Sequence, residues 1–392
     1  MQRGNAFRNR NKKRAPRQPQ QQRSSATLAL EETSSKYIAR LGRVAEILSD
    51  VDNNLDALRW FAISEGLVND AVRAKAWPHL LGLTRAEVQQ LPSLTELVKE
   101  HKDTDQVAKD VDRSLIHFME GRRKGERRRL RRELSLIINA ALCRNAQLNY
   151  FQGYHDIATV FLLVSRSEKT ALMLLERLSR TSIRGAMEKT LEPVIQVLSL
   201  LFPLLSVIDP STHQFLQQSG VEPYFALSWV LTWYSHDVHR WEVITRLFDA
   251  FLASHPLLPL YLAVVLVSHR RKGLLACKCE YSAVHNYLTK MEDDLPWERL
   301  LRLSFVLLQQ VPPYKLLRLS RTTLDKNSPF LIYPHTLSPS RTGKLDQRWP
   351  LLSSSSPLLP SAPKTYLSLD AYTISFLILF IAVLTTVYLS FF

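Results

Sequence analysis

The sequence predicts an all-α protein: one large helical domain, a disordered basic N-terminus, a Ser/Pro-rich linker and a C-terminal transmembrane helix. Three observations carry that prediction. Glycine is scarce, 11 in 392 residues, which disfavours a turn-rich β architecture. From about Lys36 to Val311 apolar residues recur every three or four positions, the period of a helix with one buried face. No alternating run is closed by Asn-Gly or Asp-Gly, so no hairpin is signalled.

Residues 1–35 are rich in Arg, Gln, Asn, Ser and Pro. With almost nothing to bury, they are expected to be disordered. The helical domain is placed at residues 36–313. In "RRRLRRELSLIINAALC" the series Leu130, Leu134, Ile137/Ile138 and Ala141/Leu142 marks one buried stripe. Similar stripes run through "TALMLLERL", "FALSWVLTWY", "VITRLFDAFL" and "ERLLRLSFVLLQQ". Between them stand turn signals in "WPHLLG", "SVIDPSTH", "ASHPLLP", "DDLPW" and "QVPP". The apolar run Leu257 to Val267 is too short to cross a bilayer and is interrupted by Pro259, so it reads as core.

Residues 314–370 are dense in Ser and Pro without helical period, the texture of a linker. Residues 371–392, "AYTISFLILFIAVLTTVYLSFF", hold no charge, proline or glycine. At about 1.5 Å per residue such a helix rises about 33 Å, against a hydrocarbon core of about 30 Å. Its Thr and Ser can bond back to their own helix. A buried core helix is the competing reading, but after a long linker it would have no neighbour. The segment is therefore expected to be a tail anchor with the bulk of the chain on the cytosolic side, and Lys364 on the near flank agrees weakly.

The net charge of +15 is concentrated. Met1 to Arg23 carries eight basic residues and no acid, and Gly121 to Arg132 carries eight with only Glu126 against them. Those two clusters account for the whole excess, so the rest of the surface is balanced. Either could meet an acidic protein, anionic lipid or nucleic acid, or be no more than a solvated face. Neither interleaves aromatics, which argues against single-stranded nucleic acid, and no nucleic-acid partner is expected. Three cysteines make no disulfide framework and the N-terminus has no signal-peptide core, so the bulk is expected to face a reducing cytosol.

The common enzyme signatures are absent: no phosphate loop, no HExxH, no GxSxG and no GxGxxG. "CKC" at Cys277 to Cys279, near His269 and His285, lacks the second ligand pair of a zinc site. No metal is expected. Two separated segments remain, "VAKDVDR" ending at Arg113 and "NYFQGYHD" around Gln152.

Together with "RAKAW", these segments resemble a known family. Arg73 and Trp77, then Val107, Asp110 and Arg113, then Tyr150, Gln152 and Gly153 match in order and spacing the R-x-x-x-W, I-x-x-D-x-x-R and Y-x-Q-G blocks of the TBC domains of Rab GTPase-activating proteins. Val107 replaces the usual Ile, a conservative change at a packing position. The resemblance spans roughly Trp60 to Pro313, and it implies a helical domain that completes the active site of a Rab-family small GTPase in its GTP form. The expected role is that of an activator with no independent catalysis and no cofactor of its own; GTP and Mg²⁺ belong to the partner. Within the family "NAQLNYFQGYHDI", "FALSWVLTWYSH" and "DLPWERLL" resemble a member of the early secretory pathway, which implies vesicle traffic at the endoplasmic reticulum or early Golgi.

The chemistry makes those roles sensible. As GTP is hydrolysed, charge shifts onto the leaving oxygens while a water is held in line. An external Arg meets that charge with planar, fixed donors, and an amide can hold the water because it both donates and accepts. The resemblance makes Arg113 the arginine finger and Gln152 the glutamine finger. Asp110, three residues before Arg113, shares its helix face and would orient it or cap the helix. Gly153 would let backbone approach closely, and Tyr150 would steady the Gln152 loop. Arg73 and Trp77, at i and i+4, read as holding helices together. Taken singly each residue is ordinary: a solvated Arg, a turn Gln, and at His155 and Asp156 a capping pair or satisfied polar patch. His155 is not needed as a base. Two other readings stay open, a non-catalytic helical scaffold that binds GTPases and a basic membrane-tethered adaptor for lipid or nucleic acid. The second predicts binding that collapses with salt.

Overall fold

In the computed structural model of the chain, residues 25–113, 123–324 and 328–332 are described, and every regular element among them is helical. The first, α1 (Ser25–Ser49), starts inside the stretch expected to be disordered. "ATLALEE" is built from strong helix formers, enough to extend the helix back from Lys36. Residues 1–24, most of the expected linker and the proposed span at residues 371–392 lie outside the described residues. No described helix is long and apolar enough to cross a membrane.

α2 (Val51–Ser64) returns along α1 and leads into α3 (Asp70–Leu80), whose N-terminus is capped by Asn69 Oδ1 accepting from Val72 N at 3.0 Å. Pro78 stands inside the last turn of α3, not beyond it. Two short helices, α4 (Arg85–Gln89) and α5 (Leu94–Leu97), precede α6 (Thr104–Arg113). On α6 the residues Val107, Asp110 and Val111 face inward, a stripe at i, i+3 and i+4. α7 (Lys124–Arg144), α8 (Tyr154–Ser165) and α9 (Glu168–Arg180) pack on one another, and α8 also packs on α3. The stripe from Leu130 to Leu142 is the buried face of α7.

A 3-10 turn at Arg184–Met187 leads to α10 (Glu192–Leu198), α11 (Leu201–Ile208) and α12 (Pro210–Ser219). A second at Pro223–Ala226 opens onto α13 (Leu227–Leu231), α14 (Trp241–Ala253) and α15 (Leu258–His269). Every residue of α15 from Leu258 to Ser268 is buried, so the apolar run read as core is core. The chain closes through α16 (Arg271–Leu274), α17 (Tyr281–Thr289), α18 (Trp297–Gln310), α19 (Pro313–Ser320) and α20 (Pro329–Ile332). The helical domain therefore runs on past Pro313. That proline opens α19 at its first position, where its missing N–H costs nothing, and Leu316 is fully buried against the core.

Arginines join distant helices by meeting their C-terminal carbonyls, which have no partner within their own helix and lie at the negative end of its dipole. Arg246 on α14 donates to Ala62 O at 3.0 Å and Ile63 O at 2.7 Å, at the end of α2, and to Glu298 Oε1 at 2.7 Å on α18. Arg270 does the same for α17 through Leu288 O at 3.1 Å and Tyr287 O at 2.9 Å. Gly66 makes room for the first clamp. Its φ is +74°, and a Cβ there would lie 2.6 Å from Arg246 Cδ.

Candidate functional site

The turn that carries Gln152 is held on every side except its own side chain. Asn149 N and Nδ2 both donate to Met187 O, at 2.9 and 3.0 Å. Tyr150 N donates to Asp103 Oδ2 at 3.1 Å. Phe151 packs on Tyr154 with the ring planes tilted at 55°, and Tyr154 is fully buried with its hydroxyl on Ser179 Oγ at 2.7 Å. Gln152 itself is exposed, and its carboxamide has no hydrogen-bond partner among the described residues. Gly153 then starts α8 with φ +102°, and a Cβ on it would sit 2.6 Å from Thr232 Cγ2. Only glycine meets both demands.

Arg113 is the last residue of α6; its side chain lies outside the described residues. One turn earlier Asp110 is 2% exposed. It stands well inside the helix, so capping the N-terminus of α6 is not its work. Its Oδ2 accepts from Tyr150 Oη at 2.9 Å and its Oδ1 from Gln106 Nε2 at 3.1 Å. Tyr150 thus ties the helix that ends at Arg113 to the turn that presents Gln152. The Tyr150 hydroxyl also lies 3.0 Å from His155 Nδ1. Because its single hydrogen goes to the Asp110 carboxylate, the imidazole Nδ1 must be the donor in that second bond.

A third segment supports the same turn. Residues 232–237 follow α13, and Trp233 and Tyr234 are both left-handed, with φ +52° and +66°. The kink is locked by burial of both rings and by Tyr234 Oη donating to Pro259 O at 3.0 Å. It brings the Thr232 methyl under Gly153 and His236 Nδ1 to 2.9 Å from Asp156 Oδ2, in the first turn of α8. Asp156 Oδ1 lies 3.4 Å from His155 Nε2. The hydrogen bond to Asp156 is the main reason the His236 pKa lies above its ordinary value, outweighing the opposite pull of partial burial. Burial is the main reason the neighbouring Asp237 carboxyl is raised, against the Ser228 hydroxyl that donates to it at 2.8 Å.

Arg73 and Trp77 are elsewhere, in the core. Asp249 of α14 is completely buried. It accepts from Arg73 Nη2 at 3.0 Å, Trp77 Nε1 at 2.9 Å and Leu67 N at 2.8 Å. Arg73 Nη1 reaches Asp70 Oδ1 at 2.9 Å, and Asp70 in turn accepts from Trp241 Nε1 at 2.9 Å. Burial works against the Arg73 charge, but Asp249 and Asp70 outweigh it and its pKa is raised. The i, i+4 spacing of Arg and Trp lets both donors on one face of α3 reach a single carboxylate. Around it Trp77, Phe161 and Phe248 form a triangle of rings 5.8 to 6.0 Å apart.

Cys277 Sγ and Cys279 Sγ lie near the carbonyls of Gly273 and Phe215, and no metal-holding group of His, Cys, Asp or Glu occurs among the described residues. Reading the sequence alone missed Asp249, Thr232 and His236. Asp249 was legible as a lone acid inside the apolar "RLFDAFL". Thr232 and His236 carry no comparable signal, because "TWYSHD" reads as an ordinary turn.

The profile of the Rab-GTPase-TBC domain matches residues 70–275. TBC1 domain family member 20 of Mus musculus is 40% identical over 286 residues, 73% of this chain and 71% of that protein. The GTPase-activating protein gyp10 of Schizosaccharomyces pombe is 29% identical over 250 residues, 63% of this chain and 66% of its own. Two solved structures share the fold. The Chlamydomonas flagellar RabGAP TBC domain superposes with TM-score 0.56 at 15% identity, covering 70% of this chain and 95% of that one. The Ypt/Rab-GAP domain of Gyp1p does so with TM-score 0.56 at 17% identity, covering 69% and 98%.

Proposed function

Because this chain belongs to the Rab-GTPase-TBC domain family, we propose that it accelerates GTP hydrolysis by a Rab-family GTPase, inserting Arg113 and Gln152 into the partner's nucleotide site. One observation carries the reading. The Tyr150 hydroxyl on Asp110, at 2.9 Å, joins the turn that exposes Gln152 to the helix that ends at Arg113. Two segments about forty residues apart are thereby held as one surface. In that surface the guanidinium meets the charge that builds on the leaving oxygens, and the carboxamide orients the attacking water. The relatives named as GTPase-activating proteins support the same direction of activity. GTP and Mg²⁺ come with the partner.

Residues 371–392 would anchor the protein in a membrane with the helical domain in the cytosol, and similarity to member 20 favours the endoplasmic reticulum or early Golgi. Single-turnover hydrolysis by a panel of purified, GTP-loaded Rabs tests the activity. Acceleration of at least one Rab, lost in Arg113→Ala and in Gln152→Ala, is the expected result. Full acceleration by Arg113→Ala would refute the mechanism, and binding of GTP-loaded Rabs without any acceleration would favour a scaffold.

A further inference from the structure

The Gln152 carboxamide has no described partner of its own, so its direction is set by the backbone beneath it. That backbone is held at three places. Tyr150 is tied to Asp110, Gly153 is seated on the Thr232 methyl, and Asp156, whose N–H donates to Gly153 O at 3.0 Å, is tied to His236. Two of the three supports come from the 232–237 segment. This segment is stiff, because its left-handed residues Trp233 and Tyr234 are 2% and 0% exposed and Ser228 Oγ braces Asp237 at 2.8 Å.

We infer that His236 is a positioning residue for Gln152, acting through Asp156 to fix the first turn of α8 and the angle at which the carboxamide is presented. The inference rests on the glutamine-finger reading above. His236 is well placed for such a task and poorly placed for a purely structural one. Its side chain is 58% exposed, whereas Asp156 is only 17% exposed, so the pair contributes little to folding while it limits the swing of the turn. A misplacement of about 1 Å can cost about 10²-fold in rate, so a small slackening is enough to matter.

The strut is strongest when the imidazole is charged. The charged groups acting on it are Asp156 on α8 and its chain neighbour Asp237, while His155 lies against Asp156 and His239 acts on Asp237. The hydrogen bond with Asp156 holds its pKa above the ordinary value. The cation therefore persists at low pH and is lost as pH rises through that raised value.

The test uses the full chain and a GTP-loaded Rab that it accelerates. His236→Ala is expected to lower the maximal acceleration about 10- to 100-fold, to leave the half-saturating concentration unchanged and, in mild alkali, to leave the thermal midpoint unchanged as well. His236→Arg, a permanent cation, is expected to retain acceleration and to flatten its decline with rising pH. In a Gln152→Ala background His236→Ala should cost nothing more, since it acts through Gln152. Three results would overturn the inference: normal acceleration by His236→Ala, a further loss in the Gln152→Ala background, or loss of the folding transition in His236→Ala. If Gln152→Ala itself accelerates normally, the glutamine finger fails and this inference with it. If Gln152→Ala is inactive and His236→Ala is not, only this inference fails.

Discussion

Tyr150 Oη donates to Asp110 Oδ2 at 2.9 Å across forty residues of sequence. Tyr150→Phe keeps the ring and removes that donor, leaving a 2% exposed carboxylate with one bond fewer. The expected loss of stability is about 1–3 kcal/mol, read by urea unfolding. Acceleration should fall as well, because the helix of Arg113 and the turn of Gln152 lose their shared fastening.

The two proposed fingers should behave differently from that tie. Gln152 is exposed, so Gln152→Ala is expected to shift stability by no more than about 0.5 kcal/mol. Arg113→Ala should lower acceleration by about 10³- to 10⁵-fold, about 4–7 kcal/mol of barrier. Calorimetry alongside single-turnover hydrolysis separates chemistry from folding in both variants.

Gly153→Ala meets two obstacles, a φ of +102° and a contact of 2.6 Å with Thr232 Cγ2. A destabilisation of at least about 1–3 kcal/mol is expected from the backbone conformation alone. Adding Thr232→Ser removes the methyl but keeps the hydroxyl that bonds to Ser228 O at 2.8 Å. The double variant should recover the part due to the contact and keep the part due to φ, as denaturant midpoints would show.

Asp249→Asn should be among the most damaging single changes. It leaves the Arg73 guanidinium with only the partly exposed Asp70 as countercharge, at a cost of up to about 3–5 kcal/mol. Replacing Arg73 by Met in the same chain removes the stranded charge and should recover part of that loss. Full recovery is not expected, because Trp77 Nε1 and Leu67 N also depend on this carboxylate. Guanidinium unfolding of the three variants measures the difference.

His236 also predicts how stability varies with pH. Its folded pKa is raised above the unfolded value of about 6.5, so the native state binds the proton more tightly. Its contribution is fully present below about pH 6.5 and is lost as pH rises through the raised value. His236→Asn should therefore be less stable than the parent in mild acid and converge with it in mild alkali. Equal gaps at both ends of the range would contradict the assignment.

How far the sequence could be read depended on whether a signal was local. The buried stripe of α7 and the run buried from Leu258 to Ser268 in α15 were legible because their period or continuous apolarity lies within one stretch. Helices extend past the expected bounds where a residue has two meanings. Pro313 both stops one helix and starts another, and "ATLALEE" has no helical apolar period in the sequence yet is made largely of helix formers. At the site, the segments of Arg113 and Gln152 could be paired only through a family resemblance, since nothing in either announces the other. Asp249 stood in plain view as an acid among apolar neighbours, but its partners are 172 and 176 positions away. His236 was silent because its meaning depends on the left-handed kink at Trp233 and Tyr234, which no propensity predicts.

The separation of Arg73 from Asp249 has a consequence during synthesis. At roughly 5–20 residues per second, a ribosome needs about 9 to 35 s to advance the 176 positions from one to the other. For that interval the nascent α3 carries a cation whose buried partner does not yet exist, with only Asp70 on the same helix to meet it. The N-terminal helices can therefore collapse early, but they cannot commit. Completion waits for α14 to emerge, so a chain ending before residue 249 lacks the carboxylate on which Arg73, Trp77 and Leu67 all converge.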